Sequence, residues 1–217
     1  MRQTPSIKLD HSQGVTPLTR LQSLSLDWTP VTDFASLQVL RSLKSLSLRG
    51  TQIADTTILQ GLESLQRLDL NRMQIADIAP LQALSNLRSL NLGMTQVVDI
   101  TPLQGLESLR FLYLRGSQAA DITPLQALTN LIFLDLNKTR VFDIDSLKGL
   151  KKLLTLDLQG TQVTDVIALL ECPNLKNLYL TDRPELREQA KPLQKRLTSL
   201  DIKFVNPDGA GARLAKK

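Results

Sequence analysis

The amino-acid sequence predicts an α/β solenoid, in which a short β-strand followed by a short helical turn recurs along the chain and builds a concave parallel sheet with a thin convex layer. Three observations predict it. Of 217 residues, 46 are leucine, half of all hydrophobic residues, whereas aromatics make up only 4%. A core built almost wholly from one aliphatic side chain points to one packing problem solved many times. Stepping by 22 residues from Leu21 meets a leucine each time as far as Leu197, with no insertion or deletion. Within seven consecutive units, positions 1, 4, 6, 17 and 20 are Leu in 34 of 35 cases, Cys172 being the exception.

The elements follow from this unit. Segments such as LRSLNL, LRFLYL and LLTLDL alternate apolar and polar residues after the first, the period of a strand with one buried face. DITPLQAL has its apolar residues at helical spacing, and TPLQ at Thr101–Gln104 and Thr123–Gln126 has the form of a capping box with Pro at the first helical position. A brief turn of helix, α or 3₁₀, is therefore expected. About ten residues cover that side, so the convex layer is thin. A chain returning to the same direction every 22 residues makes successive strands parallel neighbours, joined by right-handed connections. The predicted organisation is a single domain over 1–205, with an incomplete coil over 1–20, seven regular units over 21–174, terminal coils over 175–205 and a polar basic tail over 206–217. The segment from Arg183 to Leu197 breaks the pattern, as a terminal coil does when it covers an open core.

Two polar rows punctuate the unit. Position 9 is Thr29, Thr51, Met73, Thr95, Ser117, Thr139 and Thr161. A hydroxyl there, where the chain leaves the strand, can bond the backbone of its own or the neighbouring coil, so a threonine ladder with a local defect at Met73 is expected. Position 13 is Asp in all seven units, from Asp33 to Asp165. Carboxylates one strand spacing apart raise the idea of a calcium ladder, but calcium requires several convergent oxygens at each site. Capping of the helical turn is the expected role, and no metal or cofactor is predicted.

The full pattern, LxxLxLxxTxVxDIxPLxxLxx, resembles a leucine-rich repeat of the 22-residue subclass. It is similar to the repeats of bacterial internalins and of the leucine-rich regulatory subunit of a protein phosphatase. The resemblance covers nearly the whole chain and implies a right-handed βα superhelix that holds other macromolecules on its surface. Two departures stand beside it. Internalins usually carry Asn at position 9, where this chain has mostly Thr, and neither a secretion signal nor long capping domains are expected beside the repeats.

Composition excludes several classes of function. One His and one Cys leave little material for acid/base, nucleophilic or metal chemistry. Cys172 stands in a core leucine slot, and His11 lies about seven strand spacings away, so they form no dyad. No apolar run approaches the length of a membrane span. The net charge of +5 is confined to the residues after Asp182, because the body of the chain balances 17 basic against 17 acidic residues. A protein that tracks phosphates needs its basic residues along the binding surface, so nucleic acid is not the expected partner. The chain is expected to be a cytoplasmic monomer, or extracellular if an N-terminal signal has been removed.

Positions 4 and 6 face the core, so positions 3, 5 and 7 face out of the concave sheet, with position 8 at its edge. Four of the eight aromatic residues, Phe111, Tyr113, Phe133 and Tyr179, fall in these columns, and Trp28 stands at position 8. Aromatics gathered on one face with Arg and Asp have the composition of an interface hot spot. The predicted partner-binding residues are Arg67, Asp69, Phe111, Tyr113, Arg115, Phe133, Asp135, Lys138, Asp157 and Tyr179. The plainer alternative is that Phe111 and Phe133, direct neighbours, merely stabilise the sheet. Asp135 and Asp157 are read as a solvated pair moderated by Lys138 or Arg115, and no catalysis is assigned to them. The expected function is a non-catalytic module binding a protein or peptide on the concave sheet, with a spacer or regulatory segment of a larger chain as the alternative.

Overall fold

The computed structural model describes residues 20–30 and 35–206. Nine parallel strands lie in sequence order in one open sheet: β1 (Ser23–Ser25), β2 (Ser45–Ser47), β3 (Arg67–Asp69), β4 (Ser89–Asn91), β5 (Phe111–Tyr113), β6 (Phe133–Asp135), β7 (Thr155–Asp157), β8 (Asn177–Thr181) and β9 (Asp201–Val205). The architecture is the expected leucine-rich-repeat solenoid. Through β8 the register advances by one repeat per strand, so that Leu112 lies between Leu90 and Leu134. Most of the predicted first coil, with His11, Val31, Asp33 and the tail after Asn206, lies outside the described residues.

The convex layer consists of 3₁₀ turns rather than α-helix, among them Ala79–Ala83, Thr101–Leu103 and Thr123–Ala127. Few residues are available to cross that side, and the tighter helix suits short pieces. The leucines of positions 1, 4, 6, 17 and 20 are buried from coil 2 onward, with Cys172 among them. The position-13 aspartates supply the caps. From Asp55 to Asp165, each of the six described members of that row accepts the backbone N–H two residues on, at 2.8 Å. This corrects the capping box expected from TPLQ: Thr101 and Thr123 sit inside their turns, and the cap comes from Asp99 and Asp121.

Of the two partners open to the threonine row, the structure shows the backbone of its own coil. Thr29, Thr51, Thr95, Thr139 and Thr161 each donate to the carbonyl three residues earlier in their own coil, at 2.6–2.8 Å. They tighten each turn and do not bridge coils. Except at Thr95, the same carbonyl also receives the backbone N–H of position 9, and Met73 keeps that bond to Leu70 at 3.2 Å. Met73 therefore leaves no orphan acceptor and causes no local defect. Coils are tied together beyond the sheet by the N–H of position 10 bonding the position-11 carbonyl of the preceding coil, as Gln96 does with Ile75 and Arg140 with Ala119.

Position 8 carries a further row, one of left-handed backbone. Trp28, Gly50, Arg72, Met94, Gly116, Lys138 and Gly160 all have φ between 57° and 69°. Three of the four larger residues lie over a glycine of the next coil. A Cβ on Gly50 would sit 2.2 Å from the Trp28 ring, one on Gly116 2.6 Å from Met94 Sδ, and one on Gly160 3.0 Å from Lys138 Cγ.

The C-terminal end departs from the repeat. A true helix, α1 (Pro184–Arg196), buries Leu186, Ala190 and Leu193 against the last convex turn, and β9 then pairs with β8. Asp201 lies opposite Asn177, 24 residues on, so the regular step to Leu197 does not describe the last coil. Its added length accommodates the helix. Arg187 ties the cap by a bidentate bond to Asp182, at 2.6 and 2.8 Å, and its guanidinium stands 4.5 Å over the Phe204 ring. Among the described residues, no helix is long and apolar enough to cross a membrane.

Candidate functional site

Strand alternation places positions 3, 5 and 7 on the concave face, but the side chains there are not equally open to solvent. Arg67, Phe111, Arg115 and Lys138 are exposed, whereas Asp69, Tyr113 and Phe133 are half-buried. Asp135, Asp157 and Tyr179 are buried, at 6%, 3% and 7% exposure. These last three correct the sequence reading. The period of a strand decides which face a residue points to, whereas its depth depends on its neighbours. Tyr179 receives Lys203 from β9, whose Nζ stands 5.4 Å from the ring.

The aromatic pairing also differs in detail. Phe111 and Phe133 are in register, yet the stacked pair is diagonal: Tyr113 and Phe133 lie with ring centroids 4.9 Å apart, tilted by 37°. That separation is within the range of favourable ring contacts. Burial raises the Tyr113 hydroxyl above its ordinary pKa, with help from the charges of Asp135 and Asp69.

The position-5 side-chain oxygens have a structural task. Asp69, Asn91, Asp135 and Asp157 each accept the N–H of position 7 at 2.9–3.0 Å, closing the turn by which the chain leaves the strand. Asp135 and Asp157 lie opposite each other on β6 and β7. Desolvation pushes Asp135 up to about 6, against the bond from Asn137 and with the charge of Asp157 adding to the rise. Desolvation raises Asp157 in the same direction. The pair is therefore not solvated. Arg115 favours both charged forms from a distance, while the Lys138 stem lies across Gly160.

One exposed aromatic escaped the sequence reading. Phe142, at 63% exposure, stands outside the concave face at position 12, beside a recess of ≈ 400 Å³ lined also by Asp121, Gln126, Asp143 and Lys148. The signal was present in the sequence, since Thr32, Ala54, Ala76, Val98, Ala120 and Thr164 hold the same position in other coils and Phe142 is the one aromatic residue there. Cys172 occupies its core leucine slot as expected: it is buried, desolvation pushes its thiol up to about 11, and Sγ lies 3.3 Å from the Leu147 carbonyl.

A parallel, one-strand-per-coil sheet backed by 3₁₀ turns defines a leucine-rich-repeat protein, and comparison with known proteins narrows the class. The family model for leucine-rich repeats (two copies) matches residues 41–83. The structure of internalin C2 from Listeria monocytogenes is 31% identical, covers 88% of this chain with 83% of its own, and superposes with a TM-score of 0.76. Internalin F from the same organism is 25% identical over 88% of this chain and 68% of its own, with a TM-score of 0.70. The functional domain of InlJ, also from Listeria monocytogenes, shares the fold at 15% identity, with 89% of this chain, 46% of its own and a TM-score of 0.65. That domain includes a cysteine ladder, which one cysteine cannot form. A search of curated proteins found no match. The chain belongs to the internalin-type leucine-rich-repeat proteins. Such a fold is typically a non-enzymatic scaffold, and the kinship suggests a protein-interaction module.

Proposed function

We propose that the chain is a non-catalytic module that binds a protein or peptide partner on the concave sheet, centred on β5 to β8. One observation carries the reading: the stacked Tyr113 and Phe133 rings, with Phe111 beside them, stand on the outer face of a sheet whose core needs none of them. Aromatic anchors of this kind hold a disproportionate share of interface energy, and the exposed Arg67 and Arg115 supply a charged surround. Affinity capture from the source cell tests it. Tyr113→Ala and Phe133→Ser are each expected to weaken binding by roughly 1–2 kcal/mol, with Arg115→Glu chiefly slowing association and altering its salt dependence. Gln82→Ala on the convex side is the control. A partner that ignores the concave substitutions but is lost on Phe142→Ser places the interface at the convex recess and overturns the proposal.

A further inference from the structure

Asp135 and Asp157 are two buried carboxylates side by side, and none of the ion pairs among the described residues includes either of them. Each spends one oxygen on a backbone N–H at 2.9 Å, from Asn137 and Gln159 respectively. What else reaches Asp157 is weak: Asn137 Nδ2 stands 3.4 Å from both of its oxygens. Asn137 itself is 4% exposed, and its Oδ1 is buried without a hydrogen-bond partner. Its orientation is fixed by its surroundings, because turning the amide would set Oδ1 against the Asp157 carboxylate and Gln159 Oε1, which stands 3.3 Å from Nδ2. The concave face thus holds three adjacent groups with acceptor capacity left over and no donor to fill it. Leaving buried charge and a buried carbonyl unpaired is costly, and a donor-rich cation removes both costs.

We propose that this cluster is the seat for a lysine ammonium of the partner protein, received between Asp135, Asp157 and Asn137 Oδ1 and walled by the Tyr113–Phe133 pair. This rests on the concave-face reading above and specifies the partner's chemistry. An ammonium brings three donors on a slender stem, which suits acceptors as deeply buried as these better than the broad fork of a guanidinium. The aromatic pair accepts both the stem and the charge. Calcium requires six to eight oxygens, and no cluster of three acidic or histidine side chains that could hold a metal occurs among the described residues.

Random peptides displayed on phage and selected on the full chain at pH 7.5 test the seat, with synthetic copies of the selected peptides for affinity. The expected result is convergence on one lysine, whose replacement by norleucine weakens binding about thirtyfold or more. Asp135→Asn with Asp157→Asn, which preserves shape, is expected to abolish that difference. Lowering the pH to 5 is expected to shrink it, because Asp135 takes up a proton. The charged and titratable groups around the pair are Arg115, Tyr113 and Asp69, Lys138 after β6, and Tyr179 with Lys203. The proposal is overturned by selected peptides that lack a lysine, by equal binding of the norleucine copy, by an empty selection, or by calcium alone displacing the peptide in an Asp135-dependent way. Peptides without a lysine preference that still respond to Tyr113→Ala remove the seat and leave the concave-face reading standing. Peptides indifferent to Tyr113→Ala, Phe133→Ser and the double Asn variant remove both.

Discussion

Asp135 shows how one side chain ties stability to pH on this surface. The folded chain holds its proton up to about pH 6, whereas the unfolded chain releases it near the ordinary 3.8. Between those values the native state binds more protons, so stability falls as pH rises through the window and is lower by about 3 kcal/mol above it. Asp135→Asn is expected to remove this fall, making the variant more stable than the wild type at pH 7 and no more stable at pH 4, as read by urea denaturation at each pH. The capping carboxylates act with the opposite sign. Bonds from the hydroxyl and N–H of the threonine two residues on hold Asp55, Asp99 and Asp121 below the usual range, so their contribution is present above pH 3.8 and is lost as pH falls through their own lowered values. Flattening the Asp135 window without changing the loss below pH 4 is the expected signature. The face of Asp135 was legible from strand alternation; its depth was not, because depth comes from Asn137, Phe133 and the next coil.

At the scale of elements, the strands and their register were legible because leucine spacing fixes both the period and the buried face. The short convex turns were legible in outline, with Asp99 and Asp121 rather than the threonines as caps. Helix α1 was not. The leucine at position 197 continues the 22-residue step by coincidence, and the same stretch places Leu186, Ala190 and Leu193 on one helical face. That face closes the end of the stack. Leu186→Asp with Leu193→Asp is therefore expected to detach α1 and β9, raising amide hydrogen exchange in β8 and scattering light on warming, while β2 to β5 keep their protection. Exchange that rises equally along the whole sheet would show that the cap holds the entire stack and not its last coil.

At the scale of the molecule, each coil rests on its neighbours, and the nine strands among the described residues form one open sheet. Among the described residues the sheet does not close upon itself, so the solenoid can lengthen or shorten by whole coils. The concave residues were legible as a column because every coil returns position 5 to the same face. Their chemistry was not legible as a unit, since the Asp135, Asn137 and Asp157 cluster depends on side-chain contacts across two coils.

The left-handed corners at position 8 bear on how such a chain can lengthen or shorten. Where a large side chain covers the glycine of the next coil, the two coils form a matched couple: Trp28 with Gly50, Met94 with Gly116, Lys138 with Gly160. Excising one coil, residues 95–116, brings the Met94 side chain against Lys138, where a Cβ and a stem now occupy the space that a hydrogen left open. Excising two, residues 95–138, brings Met94 over Gly160 and restores the fit. The longer deletion is thus expected to have the higher midpoint of thermal unfolding, in spite of removing twice as many core leucines. Over the coils from Met94 to Gly160, removal of two coils is accordingly expected to be better tolerated than removal of one, because only the former keeps a large side chain over a glycine.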